Sequence, residues 1–193
     1  MTEGLFPDDR RFARIPMPDA DVVLQRSFDL GAPTGDVFAR LKAETPWRSE
    51  TVTLWGKRHV QPRLLAWYGD EGASYVYSGT RHDPLPWTPL LADLRGRVQA
   101  ATGLPFNSVL LNLYRDHRDS MGMHSDDEPE LGREPAIASL SLGEVRTLVF
   151  RREQKGEVGN AFDGVERQWF DPASGATHLG SSLRGLLTTL ETG

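Results

Sequence analysis

Residues 112–128 read NLYRDHRDSMGMHSDDE, and they decide how the rest of the chain is read. The stretch begins at the end of a β-branched and apolar run, Ser108 to Tyr114, that reads as a strand. Charged and small residues then carry the chain to His124 and Asp126. Two residues apart on an extended segment, an imidazole and a carboxylate project to the same face and reach one metal ion with little backbone strain. They are two of the three ligands of a 2-His-1-carboxylate triad, which leaves adjacent positions on Fe(II) open for a bidentate 2-oxo acid and dioxygen. A bare His-x-Asp pair is more often an exposed loop than a metal site, so the surrounding residues must decide.

The chain has 193 residues, enough for one domain with its own core. Apolar residues make up 38% and charged residues 25%, and no run approaches the roughly eighteen apolar residues of a membrane span. Residues Met1 to Arg14 carry mixed charge and no apolar signal core, which leads to the expectation of a cytoplasmic protein with no membrane partner. With no cysteine, disulfides and thiolate metal sites are excluded, leaving His and carboxylate as metal ligands. The net charge of −5 argues against polyanion binding by the whole surface. A nucleic-acid face would have to be local, at Lys57-Arg58-His59 with Arg63, at Arg115 to Arg118, or at Arg151-Arg152 with Lys155. Nothing suggests a self-complementary seam, so a monomer is expected.

Helical spacing of Val37, Phe38 and Leu41 predicts a helix over Thr34 to Glu44, with Thr34 as its cap and Pro46 beyond its end. Alternating β-branched and aromatic residues from Glu50 predict a hairpin with Leu54, Trp55 and Gly56 at its tip and a second run through Val60 to Tyr68. Tyr75 and Tyr77 alternate on a third strand, and the three prolines of Asp83 to Pro89 mark a loop. Leu90, Leu91, Leu94 and Val98 form the stripe of a helix that Gly103 closes. Strands are expected at Ser108 to Tyr114, Ala136 to Leu142 and Arg146 to Arg152. Helices first and strands afterwards give an α+β fold, a jelly roll with a metal at its mouth.

Asn112, Tyr114, Gly122, His124, Asp126, Asp127 and Glu128, followed by Pro135 to Gly143 and Arg146 to Arg151, closely resemble the AlkB-type nucleic-acid dioxygenases. Upstream, Leu54 to Lys57, Pro62-Arg63, Tyr68 to Asp70 and Tyr75 to Gly79 look like the branch acting on alkylated duplex DNA. The resemblance covers about Thr51 to Arg152. It implies a double-stranded β-helix core with N-terminal helices and a substrate-recognition hairpin. In a single domain spanning 1–193, residues 1–50 would be an N-terminal extension, 51–82 nucleotide-recognition hairpins, 83–152 the helix and catalytic core, and 153–193 an atypical tail.

The resemblance also implies roles. His124 and Asp126 would hold Fe(II), and Asn112 and Tyr114 would contact 2-oxoglutarate. Asp127 and Glu128 would lie near the substrate base, Arg63 would touch phosphate or base, and Tyr75, Tyr77 and Ser78 would surround a flipped base. Trp55 stands where the duplex-acting branch has an aromatic finger, and an apolar wedge there would fill the gap the base leaves. The implied reaction is oxidative dealkylation of N-alkylated DNA bases with O2 as cosubstrate, yielding succinate, an aldehyde and the bare base.

After Arg152 the family's text stops. Its second iron histidine, in a His-Trp-x-His context, and its Arg-x-Asn-x-Thr-x-Arg strand are missing. His178 is the remaining candidate for a third ligand and Arg184 for a carboxylate anchor. A single-base frameshift near Ala173 to Thr177 would explain the tail and would remove the last barrel strands. Two other readings stay open: a noncatalytic nucleic-acid-binding remnant, and an Fe(II) oxygenase acting on RNA or a small molecule.

Overall fold

The computed structural model describes residues 12–16, 21–54, 56–73, 75–77, 80–122, 136–144, 146–150, 166–167 and 185–191. A short hairpin comes first, β1 (Ala13–Ile15) and β2 (Val22–Leu24), followed by α1 (Thr34–Glu44). Next come β3 (Thr51–Leu54), β4 (Lys57–Val60), β5 (Leu64–Gly69), β6 (Tyr75–Tyr77), β7 (Thr80–His82) and α2 (Pro89–Thr102). The remaining strands are β8 (Ser108–Tyr114), β9 (Ile137–Gly143), β10 (Val149–Phe150), β11 (Glu166–Arg167) and β12 (Gly185–Glu191).

Four strands form the main sheet, in the order β5-β8-β12-β9, with every neighbouring pair antiparallel. Two-stranded ribbons β1-β2, β3-β4, β6-β7 and β10-β11 stand apart from it, and the described residues form no closed barrel. Helices and antiparallel strands are therefore combined as an α+β fold requires.

The helices cover one face of the sheet. Val37 and Leu41 of α1 and Leu90, Leu91, Leu94 and Val98 of α2 share one buried cluster with Val109, Leu111 and Leu113 of β8 and Leu140 and Leu142 of β9. The sheet residues in that cluster recur with the period of two that places alternate side chains on one face. The α2 helix is bounded by chemistry visible in the sequence. Thr88 Oγ1 accepts the Leu91 N–H at 3.2 Å, Pro89 occupies the first turn, and Gly103 closes the helix at φ 73° with its N–H bonded to the Gln99 carbonyl.

Several expectations needed correction. Pro33, not Thr34, is the residue flanking α1, and no side chain caps that helix. The run expected from Val60 to Tyr68 is broken at Gln61 to Arg63, because Pro62 has no N–H for a ladder and turns the chain before β5. The strand expected over Arg146 to Arg152 is described only at Val149–Phe150. β1, β2, β11 and β12 were not anticipated. β12 comes from the tail and sits between β8 and β9, pairing Leu187 with Asn112 on one side and Ser141 on the other. Among the described residues no helix is long and apolar enough to cross a membrane.

Because β12 is hydrogen-bonded along both edges, Leu187→Pro removes a backbone donor in the middle of the sheet and orphans a neighbouring carbonyl. A loss of about 1–3 kcal/mol is expected, read as a lower urea midpoint with unchanged slope. An unchanged midpoint would mean that the tail contributes nothing to the sheet.

Candidate functional site

β8 is buried on both sides. Its odd-numbered residues face the apolar cluster, while Asn112 and Tyr114 alternate onto the opposite face and are still only 1% and 4% exposed. Buried polar groups require partners; Asn112 finds a donor, and the Tyr114 ring a stacked cation, on segments distant in sequence.

Arg63 follows the Pro62 turn into β5 and is itself buried. Its Nε donates to Asn112 Oδ1 at 2.7 Å. This guanidinium, expected at phosphate or base, lies against the Asn-x-Tyr strand through its Nε. Burial pulls its pKa below the ordinary arginine value, an effect opposed by Tyr114 and Glu50 nearby.

Arg146 reaches the same face from the other side. β9 ends at Gly143, whose φ of 90° is a left-handed turn that suits glycine and redirects the chain. In the ladder, Tyr114 pairs with Gly185 and Gly185 with Gly143, so the ring's row in the sheet continues through two residues without side chains. The Arg146 guanidinium lies over the Tyr114 ring, 3.8 Å from its centroid, in a cation–π contact. Its Nη2 donates to the Asp119 carbonyl. Its Nη1 is buried with no hydrogen-bond partner among the described residues. Burial lowers the Arg146 pKa and raises that of Tyr114, with both arginines opposing the Tyr114 shift. The phenol therefore stays protonated at neutral pH and is available as a donor.

The loop leaving β8 is pinned along its length. Asp119 Oδ2 accepts the Arg115 backbone N–H at 2.8 Å and Arg115 Nε at 2.7 Å, while Oδ1 accepts Arg115 Nη2 at 2.9 Å. The Ser120 N–H donates to the Pro62 carbonyl at 2.8 Å, tying this loop to the turn that delivers Arg63. Arg118 pairs with Asp116 at 2.7 Å. The basic cluster Arg115 to Arg118 is thus largely matched by its own carboxylates and is spent on shaping a loop. Of the other two clusters, Lys57, Arg58 and His59 are exposed along β4, and Arg151, Arg152 and Lys155 lie outside the described residues.

The metal candidates His124, Asp126 and His178 lie outside the described residues, as do Asp127, Glu128, Arg184, Trp55 and Ser78. Among the described residues no cluster of three acidic or histidine side chains suits a metal. Tyr75 and Tyr77 are placed by their backbone as the end residues of β6, and Leu54 and Gly56 flank the tip of the β3-β4 hairpin. Sequence reasoning missed two members of the buried cluster. Arg146 was read only as part of a strand, and Asp119 carried no signal beyond its spacing of four from Arg115.

The described face has more cations than anions. Asp119, the single buried carboxylate among the described residues, is already matched by the exposed Arg115, which leaves the charges of Arg63 and Arg146, with Glu50 acting on Arg63 through space. A small dicarboxylate suits this imbalance and Arg146 Nη1, which has no partner among the described residues, so the residues present fit 2-oxoglutarate.

Comparison with known proteins identifies the family. Residues 32–176 match the 2OG-Fe(II) oxygenase superfamily, and the chain belongs to it. Within that class the chain is 43% identical over 132 residues to human alpha-ketoglutarate-dependent dioxygenase alkB homolog 3, covering 68% of this chain and 46% of that protein. Human DNA oxidative demethylase ALKBH2 is 41% identical over 125 residues, covering 63% of this chain and 48% of its own length. The ALKBH2 protein of Arabidopsis thaliana is 34% identical over 131 residues, 66% of this chain and 42% of that one. The chain spans about half the length of these relatives.

The Asp119–Arg115 pair gives the loop a pH signature. The arginine holds the buried carboxyl below its ordinary value, so its contribution is complete above about pH 4, the unfolded value, and is lost as pH falls through the folded one. Asp119→Asn should be less stable than the parent at pH 7, and the difference in urea midpoint should shrink on acidification toward pH 2. A difference independent of pH would mean that the carboxylate charge is not what holds the loop.

Proposed function

We propose that this chain is an Fe(II)- and 2-oxoglutarate-dependent dioxygenase that oxidatively dealkylates N-alkylated bases in DNA, acting as a monomer on a base flipped from a duplex. The observation carrying this reading is the buried Asn112–Tyr114 face, bracketed by Arg63 and Arg146, on the strand whose pinned exit loop leads to His124 and Asp126. Membership of the superfamily and similarity to relatives named as DNA oxidative demethylases support it.

Iron with 2-oxoglutarate and O2 supplies the oxidising power for hydroxylating the N-alkyl carbon. The chain's own residues do the rest. His124 and Asp126 would hold the metal, with His178 the remaining imidazole for a third position. Asn112 would present its amide and Tyr114 its neutral phenol to the cosubstrate, and Arg184 stands as a further candidate for its carboxylate. Asn112 cannot swing freely, because its Oδ1 already accepts from Arg63. That bond fixes which side of the amide is free to donate. The apolar cluster beneath β8 keeps bulk water from one side of the site, where charge interactions are correspondingly stronger.

Substrate contact would come from the paired ribbons. β4 exposes Lys57, Arg58 and His59 next to the hairpin tip, a basic edge suited to phosphate. Trp55 would enter the stack as the wedge, Tyr75, Tyr77 and Ser78 would line the base pocket, and Asp127 and Glu128 would orient the base. This division assigns 51–82 to recognition and 83–152 to chemistry.

The test is succinate release coupled to repair of an N-methylated oligonucleotide, in single-stranded and duplex form. Activity on both, with duplex repair falling about 10-fold or more in Trp55→Ala while single-strand repair is retained, is expected if each lost stacking contact weighs about 1–3 kcal/mol. DNA binding without any succinate would instead identify a noncatalytic remnant. Succinate formed only with RNA or a small molecule would remove DNA repair as the function.

A further inference from the structure

The ribbon of β6 and β7 leaves the main sheet after Gly69 and returns to it at Leu85, and both of its feet are fastened at one place. On the outgoing side the Asp70 N–H donates to the Asn107 carbonyl at 2.8 Å, and the Asp70 carbonyl accepts the Ala73 N–H at 3.1 Å in a turn that contains Gly72 at φ 90°. On the returning side Leu85 is bridged to Tyr68, its N–H donating to the Trp67 carbonyl at 2.8 Å and its carbonyl accepting the Gly69 N–H at 3.0 Å. Gly69 has little room for a side chain, since a Cβ there would lie 3.1 Å from Pro84 Cγ and 3.2 Å from the Asn107 carbonyl oxygen. One carboxylate then joins the two feet. Asp70 Oδ1 accepts Trp87 Nε1–H at 2.9 Å across 17 positions and Arg95 Nη1–H at 2.7 Å across 25, while the Arg95 guanidinium lies 4.3 Å from the centroid of the Trp87 ring.

This cluster adds little to the fold as a whole. The Asp70 side chain is half exposed, and ion pairs at such sites contribute little to global stability, whereas α2 is already fixed to the sheet by the buried cluster of Leu90, Leu91, Leu94 and Val98 with Tyr68 and Val109. What the carboxylate closes is the segment 71–86, whose middle is β6 and β7, paired from Tyr75 with His82 to Tyr77 with Thr80 and joined to no other strand among the described residues. A two-stranded ribbon is marginal by itself, so its attitude is set at its feet. We propose that Asp70 is a positioning residue for this ribbon and, with Trp87 and Arg95, fixes where β6 places Tyr75 and Tyr77. The assignment rests on the reading above, in which these tyrosines meet the flipped base, and it adds residues beyond those assigned to base or metal. Trp87 and Arg95 suit the part because α2 holds both. Thr88 caps the helix immediately after the indole, and a helical side chain two turns further on points back toward that end. The ribbon is thereby referenced to the helix that packs on β8.

The test uses the full 193-residue chain and three readouts: KM and kcat for repair of an N-methylated oligonucleotide, succinate released without DNA, and hydrogen exchange resolved to residues 75–82 and 108–114. Asp70→Ala should raise KM for the oligonucleotide about 5- to 10-fold, the weight of a partly exposed hydrogen bond to a charged group, with kcat and DNA-free succinate release close to those of the parent. Exchange in 75–82 should quicken while β8 keeps its protection, because a ribbon opens locally without global unfolding. Asp70→Asn retains an oxygen for Trp87 and loses the charge facing Arg95, and should fall between Asp70→Ala and the parent. Trp87→Phe keeps a ring under Arg95 and removes only the indole N–H, and should move KM and ribbon exchange in the same direction.

Faster exchange in both regions would mark a general loss of stability and overturn the assignment. Unchanged ribbon exchange, a loosened ribbon with unchanged KM, or a change confined to kcat would overturn it as well. If Asp70→Ala does not fold, Trp87→Phe decides by the same criteria. If the parent binds the methylated oligonucleotide in preference to its unmethylated counterpart without repairing it, the same shift is read in the dissociation constant. A parent chain that neither repairs nor prefers the methylated oligonucleotide would overturn the DNA-repair reading together with this one, whereas parent repair that ignores both substitutions would overturn only this one.

Discussion

Burial of β8 on both faces is the constraint from which the rest of the structure follows. One face is apolar and is covered by α1 and α2, as the alternation of Val109, Leu111 and Leu113 dictates. The other carries Asn112 and Tyr114, and a buried amide or phenol without a partner costs about 1–3 kcal/mol. The fold meets the amide's share of that cost with Arg63, whose Nε donates to Asn112 Oδ1, and stacks Arg146 on the Tyr114 ring, both brought from segments distant in sequence. Both guanidiniums are desolvated in turn. A stable apolar strand could have done without any of these groups, and the proposed cosubstrate site gives them a role that folding alone does not require.

The second consequence concerns the loop after β8. A metal pair on an unsupported loop would have to be ordered by the metal alone. Here the first residues of that loop are fixed by Asp119, whose carboxylate closes on Arg115 and whose carbonyl receives Arg146, and by the Ser120 bond to Pro62. The turn that positions Arg63 and the loop that starts toward His124 are thereby one unit. One backbone bond, from the Ser120 N–H to the Pro62 carbonyl, joins the two outside the sheet ladder.

Much of this was legible from local patterns. The helices at Thr34–Glu44 and Pro89–Thr102 and the strand at Ser108–Tyr114 lie where periodicity placed them, and Gly103 ends its helix as expected. Pro62 was visible but misjudged, since a proline within an apolar run signals a break even where the residues on both sides favour strand. The placement of β12 was not legible. Leu186, Leu187, Thr188, Thr189 and Leu190 make an ordinary apolar segment, and nothing local names β8 and β9 as its neighbours.

The sequence by itself determined the chemistry available to this protein: no thiolate, a His-x-Asp pair, and an Asn-x-Tyr strand in a text shared with a family of iron oxygenases. It also determined the helices and most strands, because those depend on hydrophobic period and on caps within a few residues. Only the tertiary structure decided which cations serve the strand. Arg63 and Arg146 lie 49 and 32 positions from the residues they contact, Asn112 and Tyr114. Arginines at such separations look like any surface arginine until the sheet and its turns bring them beneath it, where the loss of water makes a partner obligatory.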